Sequence, residues 1–430
     1  MMNRHFETNL NSCAVFLLFS AAIFSSCAND DEAWVSRALD TAAYQLDMTA
    51  GELDGTGMMP RTAVSGYDVD FLAAQLEKDK SSFVDSLVAN PPAENLGRLK
   101  PCGIIDWTSG FFPGSLWYAY ELTGKENLKE EAVKYTNLLY PIRKFEGSHD
   151  IGFMIGCSYG NAWRLSPDDT VKNVIVETAN TLSSRFDEGI GCIRSWDFGP
   201  WNYPVIIDNM MNLDLLFMAS RLSGDPGYKQ IAVRHAMTTM QNHFRPDFTS
   251  WHVVSYLDDG SVEKRQTHQG KNDDSAWSRG QAWGVYGYTS CFRETGDSLF
   301  LKQAVNIADM IMARNTAPDL IPYWDFDAPV ADDTPRDASA AAVMASAFIE
   351  LSTFLPQDGE KYFVYAENIL KTLSSDAYLA EKGTNAGFIL KHSTGSLPHG
   401  SEIDVPLNYA DYYYLEAMKR YLDIFRGAGR

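Results

Sequence analysis

Apolar residues recur at helical spacing along almost the whole chain, in residues 32–48, 110–123, 127–140, 151–164, 169–185, 204–221, 228–243, 274–294, 299–314, 337–354, 360–373 and 405–425. The strict alternation of a half-buried strand is nearly absent. Between the periodic segments lie short clusters such as "SPDDT", "SGDPGY" and "ETGD", which combine turn residues with an aspartate placed to cap the next helix. Helices in consecutive pairs, with no long linker after residue 27, predict an all-α fold: one (α/α)6 barrel over residues 28–430, six helical hairpins closed into a ring. An open solenoid of helical pairs is the structural rival, but no clean short-period repeat supports it.

The first residues have a different pattern. "MMNRHFETNLNSC" is polar and carries Arg4 and His5, and "AVFLLFSAAIF" is an apolar run too short to span a bilayer. With "SSC" after it, residues 1–27 read as a secretion signal of the lipoprotein type, with Cys27 the acylated first residue of the mature chain. A plain cleaved signal is the alternative. Both predict export, to the periplasm or to the outer membrane of a Gram-negative-type bacterium, with membrane attachment only through lipid on Cys27. The remaining cysteines, Cys102, Cys157, Cys192 and Cys291, have no CxxC spacing and no histidine at metal-site intervals, so buried free thiols are expected and no metal site.

Composition narrows the function. With 45% hydrophobic residues in 430, a large core can be filled. The formal net charge of -20 argues against nucleic acid or any long polyanion held by long-range attraction. An anionic substrate has to be captured locally. The aromatic content of 13% is compatible with stacking on sugar rings, although most such rings fill cores.

Three clusters carry candidate chemistry. In "YPVIIDNMMNLDLLFMAS", Asp208 has Met211, Asn212 and Leu215 as helical neighbours, an apolar setting that raises a carboxyl pKa and suits proton delivery near neutral pH. The same residue could simply cap a helix entered through an extended "YPVIID". In "EGSHDIGFMIGCSYGNAWRL", His149 and Asp150 open another apolar helix, and Gly152 and Gly156 permit close approach of a ligand or a neighbouring backbone. Asp150 could also be only a cap. "THQGKNDDSAWSRGQAWGVYGY" compresses Gln269, Asp273, Asp274, Trp277 and Arg279 into a loop and a first helical turn, with Asp273 or Asp274 able to cap. Arg279 offers a fork for a carboxylate, Trp277 a stacking face and Gln269 an amide; His252 lies nearby in "SWHVVSY". Together they describe a pocket for a small acidic sugar.

These segments resemble glycoside hydrolase family 88, the unsaturated glucuronyl hydrolases. The resemblance is carried in order by "IDWTSGFFPGSLWYAYELTG", "HDIGFM", "IIDNMMNLDLL", "DDSAWSRGQAWGVYGY", "RDASAAAVMASAFIEL" and "GSEIDVPLNYADYYYLEA", from about residue 58 to the carboxyl end. It implies an (α/α)6 barrel that removes the C4–C5 unsaturated uronic acid left by polysaccharide lyases at the non-reducing end of di- and oligosaccharides. It also implies hydration of the double bond instead of displacement at the anomeric carbon. Asp208 matches the residue that protonates C4 and activates the water adding at C5; Asp150 matches the second essential aspartate, expected to hold substrate hydroxyls and to raise the pKa of Asp208. Gln269, Trp277 and Arg279 match contacts to the uronate or its hydroxyls, and His252 a histidine near the reacting ring. Trp107, His149 and Trp196 match less closely, since Trp201 could align in place of Trp196. Ser393 and Ser396 match contacts to the next sugar or its sulfate, where Pro398 replaces a desirable lysine. No metal or organic cofactor is implied.

Two other readings fit the sequence. A sister group of unsaturated rhamnogalacturonyl hydrolases shares the fold and chemistry, although "DDSAWSRGQAWG" fits the glucuronyl group better. A non-catalytic glycan-binding surface lipoprotein fits the signal segment and the aromatic content, but leaves the acid pair Asp150 and Asp208 without a purpose.

Overall fold

A computed structural model describes residues 16–65 and 97–428. Residues 1–15 of the predicted signal lie outside that range, as does the side chain of Cys27.

The described residues form thirteen α-helices: α1 (Phe16–Glu52), α2 (Phe111–Thr123), α3 (Glu126–Leu138), α4 (Ile151–Cys157), α5 (Tyr159–Leu165), α6 (Asp169–Ser183), α7 (Asn209–Ser223), α8 (Pro226–Asn242), α9 (Ser278–Thr295), α10 (Ser298–Arg314), α11 (Ala338–Thr353), α12 (Glu360–Leu373) and α13 (Asn408–Ala428). Helices α4 and α5 are two halves of one segment that kinks at Ser158, so the predicted helix 151–164 is interrupted. Alternate helices form two rings. The inner ring runs α2, α4–α5, α7, α9, α11, α13 and closes by contact of α13 with α2. Helices α1, α3, α6, α8, α10 and α12 pack outside it, which is the predicted (α/α)6 barrel.

The two rings differ as their sequences require. Outer α6 buries Val171, Val174, Ile175, Thr178, Ala179 and Leu182, a single stripe at helical spacing. Inner α11 is buried continuously from Ala338 to Ile349, and its run of Ala and Ser lets neighbouring helices approach closely. Buried residues of α1 (Val35, Ala38, Ala42, Leu46) share one core cluster with the rest of the barrel. The hairpin turns follow the cap signals in the sequence: Gly124, Gly224 and Gly296 end α2, α7 and α9 in the left-handed region, and Asp168, Asp225 and Asp297 cap α6, α8 and α10. Cys102, Cys157, Cys192 and Cys291 are buried free thiols, as expected.

Among the described residues, nine short strands, which the helical pattern did not foresee, form four small antiparallel sheets at the loop end. They are β1 (Met59–Ala63) with β2 (Leu99–Cys102), β3 (Phe186–Asp187) with β4 (Cys192–Ile193), β5 (Tyr203–Ile206) with β6 (Val253–Tyr256) and β7 (Val262–Gln266), and β8 (Ser393–Ser396) with β9 (Ser401–Val405). Strand β5 occupies the start of the predicted helix 204–221: "YPVI" is extended, and the helix begins only at Asn209.

Candidate active site

The inner helices α4, α7, α9 and α13 start at one end of the barrel, where Asp150, Asp208, Arg279 and Tyr409 line a cavity of about 360 Å³. Its walls also include Trp107, Trp196, Phe198, His268, Gln269, Ser396 and His399. Helix N-termini gathered at one mouth offer a positive field to an anion, which offsets the acidic exterior locally.

Asp208 occupies the N-cap position of α7 without capping it. The residue is only 8% exposed, and its Oδ2 is buried without a hydrogen bond. Burial, opposed by the Arg279 cation and assisted by the charge of Asp150, pushes its pKa up to about 7. The sheet explains its neighbour: Ile206 pairs with Val253, and Ile207 N–H donates to the His252 carbonyl (3.0 Å), so the residue after β5 faces the residue before β6. His252 Nε2 lies 3.6 Å from Asp208 Oδ2. Its Nδ1 accepts the backbone N–H groups of His268 (3.0 Å) and Gln269 (3.1 Å), which leaves the ring proton on Nε2. Burial depresses the His252 pKa well below its ordinary value, so the ring is a neutral donor aimed at the acid.

Asp150 also sits at an N-cap position without capping. Its Oδ2 accepts the Ser148 hydroxyl (2.7 Å), and Oδ1 lies 3.3 Å from His149 Nε2. Asp150 and Asp208 therefore both line the cavity and neither caps its helix.

Several of the expected residues are engaged by the protein itself or lie behind the cavity wall. Arg279 is not a free fork: Nη1 donates to Asp337 Oδ2 (2.7 Å) and Thr394 O (2.6 Å), and Nη2 to Gly395 O (2.6 Å). It ties α9 to α11 and to the β8–β9 hairpin and shows only part of its surface to the cavity. Trp277 does not present a stacking face. It is buried behind the wall, with its ring 4.6 Å from that of His252 and under the Arg279 guanidinium. His149 and His252 are buried behind the two acids and do not line the cavity. Ser393 is likewise buried away from it, whereas Ser396 lines it and bonds His399 Nδ1 (2.7 Å). Asp273 and Asp274 lie in the loop; α9 starts after Trp277, and Asp273 accepts the Thr267 N–H instead.

Other expected residues stand at the cavity. Trp107 and Trp196 line the cavity; Trp201 stands behind, its indole N–H donating to Gln266 (3.0 Å). Gln269 lines it with its amide donating to Gly395 O (3.1 Å). Gly152 serves a neighbouring backbone, because a Cβ there would meet Asn212 at 2.4–2.7 Å, whereas Gly156 opens into a second cavity at the opposite end.

The sequence reading missed Arg61, Phe198, Ile206, His268, His399, Ser401, Glu402 and Tyr409. Arg61, on β1, pairs with Asp106 and Glu402. Tyr409 was within reach, since "PLNYADYYY" places it in the first turn of α13.

The comparisons follow this geometry. The sequence profile described as Glycosyl Hydrolase Family 88 matches residues 81–422, and a profile described as a domain of unknown function matches residues 12–78, the stretch that contains Arg61. An unsaturated glucuronyl hydrolase from Formosa agariphila is 47% identical over 320 residues, covering 73% of this chain and 80% of that protein. A solved unsaturated glucuronyl hydrolase described as specific for heparin superposes with a TM-score of 0.83 at 46% identity, covering 92% of this chain and 98% of that one. A mutant of the Streptococcus agalactiae enzyme, solved in complex with dGlcA-GalNAc6S, superposes with a TM-score of 0.72 at 26% identity over 90% of this chain and 92% of that one. The chain belongs to glycosyl hydrolase family 88.

Proposed function

We propose that this protein removes the C4–C5 unsaturated uronic acid from the non-reducing end of lyase-generated glycosaminoglycan oligosaccharides by hydrating the double bond. The observation that carries this reading is Asp208: a buried carboxyl held near pKa 7 at the cavity wall, uncapped and facing a neutral histidine. An enol ether is activated by protonation at carbon, so the acid must hold a proton near neutral pH and accept one back afterwards.

In this reading Asp208 gives its proton to C4, and the electron pair of the C4=C5 bond forms the C4–H bond. Water adds at the resulting cation on C5 and returns a proton to Asp208. The C5 hemiketal opens to a ketone, which frees C1 as a hemiacetal, and the hemiacetal releases the remaining saccharide. His252 Nε2–H donates toward Asp208 or the incoming water, and Asp150 holds substrate hydroxyls. No displacement at C1 is required, so the acid pair is not the pair of a direct two-carboxylate hydrolysis.

The test follows the ultraviolet absorbance of the conjugated double bond with unsaturated disaccharides from chondroitin, heparin, hyaluronan, pectic and ulvan lyases. Loss of absorbance with wild type and not with Asp208→Asn supports the reading; no loss with any substrate sinks it. Within the panel, heparin-derived disaccharides are expected to react fastest. The 46% identity to an enzyme described as heparin-specific, against 26% to one holding a GalNAc6S saccharide, supports that order. The pectin and binding-protein readings draw no comparable support.

Export with lipid on Cys27 is part of the same proposal, supported by "FSSC" after an apolar run. Labelled fatty acid should enter the wild-type protein and not Cys27→Ala; equal labelling of both contradicts it.

A further inference from the structure

Asp150 stands where a helix normally demands a cap, yet its carboxylate is free for the cavity. The first-turn N–H of Phe153, which an N-cap side chain would satisfy, donates instead to Asn212 Oδ1 on the neighbouring helix α7 (2.8 Å). That approach depends on Gly152, because a Cβ there would lie 2.4 Å from Asn212 Oδ1.

The same bond fixes which way the amide points. With Oδ1 committed to Phe153, Nδ2 faces His149 Nδ1 at 3.2 Å. An amide N–H can only donate, so His149 Nδ1 carries its lone pair. Burial keeps the ring neutral against the attraction of Asp150, and its single proton is therefore on Nε2. That nitrogen faces Asp150 Oδ1 at 3.3 Å, and Asn209, whose Nδ2 is committed to Ile193 O (2.8 Å), also acts on the ring. The Arg185 cation acts on His149 and disfavours a second proton on it.

We propose that Asn212 is a positioning residue for the reaction: it caps α4 in place of Asp150 and locks His149 as the Nε2–H tautomer that aims Asp150 into the cavity. Asp208 is served by an equivalent imidazole, His252, but there the Nδ1 donors are backbone N–H groups. Only on the Asp150 side does the tautomer depend on a side chain. Helix α7 thus supplies Asp208 and, through Asn209 and Asn212, the setting of the other acid.

The test uses full-length protein labelled with 15N-histidine, with His149→Gln to assign the His149 signals. Wild type should show a pyridine-like Nδ1 and a pyrrole-like Nε2. Asn212→Asp keeps the shape and the cap to Phe153 but places an acceptor against Nδ1. It should move His149 to the Nδ1–H form or to imidazolium, leave the His252 signals unchanged, lower kcat about 100-fold by misplacing a reacting group, and change KM little. A wild-type His149 already protonated on Nδ1 overturns the proposal, whether or not the variant folds. So does an Asn212→Asp protein with wild-type tautomer and kcat, even if it melts lower. The consequence for kcat rests on the hydration reading of the site. The tautomer does not, and it is read without substrate, so failure of one is distinguishable from failure of the other.

Discussion

The same inner helices connect two polar cavities that differ in one respect. Helix α7 runs from Asp208 to Arg221, α9 from Arg279 to Arg293 and α13 from Tyr409 to Arg420, so each passes from the cavity of about 360 Å³ to one of about 230 Å³ at the other end. At the far end every acid is compensated. Glu416 accepts from Tyr118, Tyr286 and Ser346 and lies 3.6 Å from Arg420; Glu350 sits between Arg293 and Arg420; Asp214 pairs with Arg293. At the loop end Asp208 has no cation within ion-pair distance and one oxygen unbonded. Buried acids that hold the barrel together are satisfied, whereas the acid that does chemistry is left wanting a proton.

Breaking one end at a time separates the two roles. The largest effect is expected from Asp208→Asn, which should reduce double-bond hydration at least about 10³-fold in a progress-curve assay while the protein stays folded. Glu416→Ala should do the reverse, costing about 3 kcal/mol in urea unfolding by leaving three hydroxyls without their acceptor and Arg420 with Glu350 as its remaining ion-pair partner, with kcat of the folded fraction retained. If Glu416→Ala abolished kcat without loss of stability, the division between the ends would fail.

The two ends should also respond differently to pH. The folded-state pKa of Asp208 is raised to about 7, above its unfolded value, so the folded protein binds the extra proton between about pH 4 and 7 and loses stability as pH rises through that window. Asp208→Asn removes that slope and should be more stable than wild type at pH 8 by about 2 kcal/mol, with little difference at pH 4. Asp411 is likewise raised, by burial, to about 8 but is held by the N–H groups of Ile389 and Leu390; being common to both proteins, it cancels in the difference. Activity needs the protonated acid, so kcat should fall above about pH 7. A flat profile to pH 9 would assign the proton to another group. The smallest effect is expected at the mouth, where exposed Phe198 stacks on Trp196 with ring centroids 4.8 Å apart. Phe198→Ala should raise KM about 5-fold without altering kcat or melting temperature.

Much of this was legible in the chain because its determinants are local. Outer-helix stripes and Gly–Asp turns marked the hairpins, and an unpaired acid in an apolar helix marked Asp208. What was not legible depends on partners far along the chain. Arg279 reads as an unpartnered fork, whereas its guanidinium donates to Asp337, 58 residues away. Trp277 reads as a stacking platform until the ring of helices puts it behind the wall. The β8–β9 hairpin has no alternating pattern to announce it, and it holds Glu402 and Asp404 at positive φ, where only tertiary contacts keep them. Arg61 reaches the cavity from β1, a strand defined by its partner β2.

The most direct measurement compares an unsaturated disaccharide with its thioglycoside, in which sulfur replaces the glycosidic oxygen and resists displacement at C1. Hydration at C4 and C5 by Asp208 requires the absorbance of the double bond to disappear from both compounds with wild type and from neither with Asp208→Asn. Cleavage of the oxygen glycoside with the thioglycoside untouched would show displacement at the anomeric carbon and contradict the role assigned to Asp208.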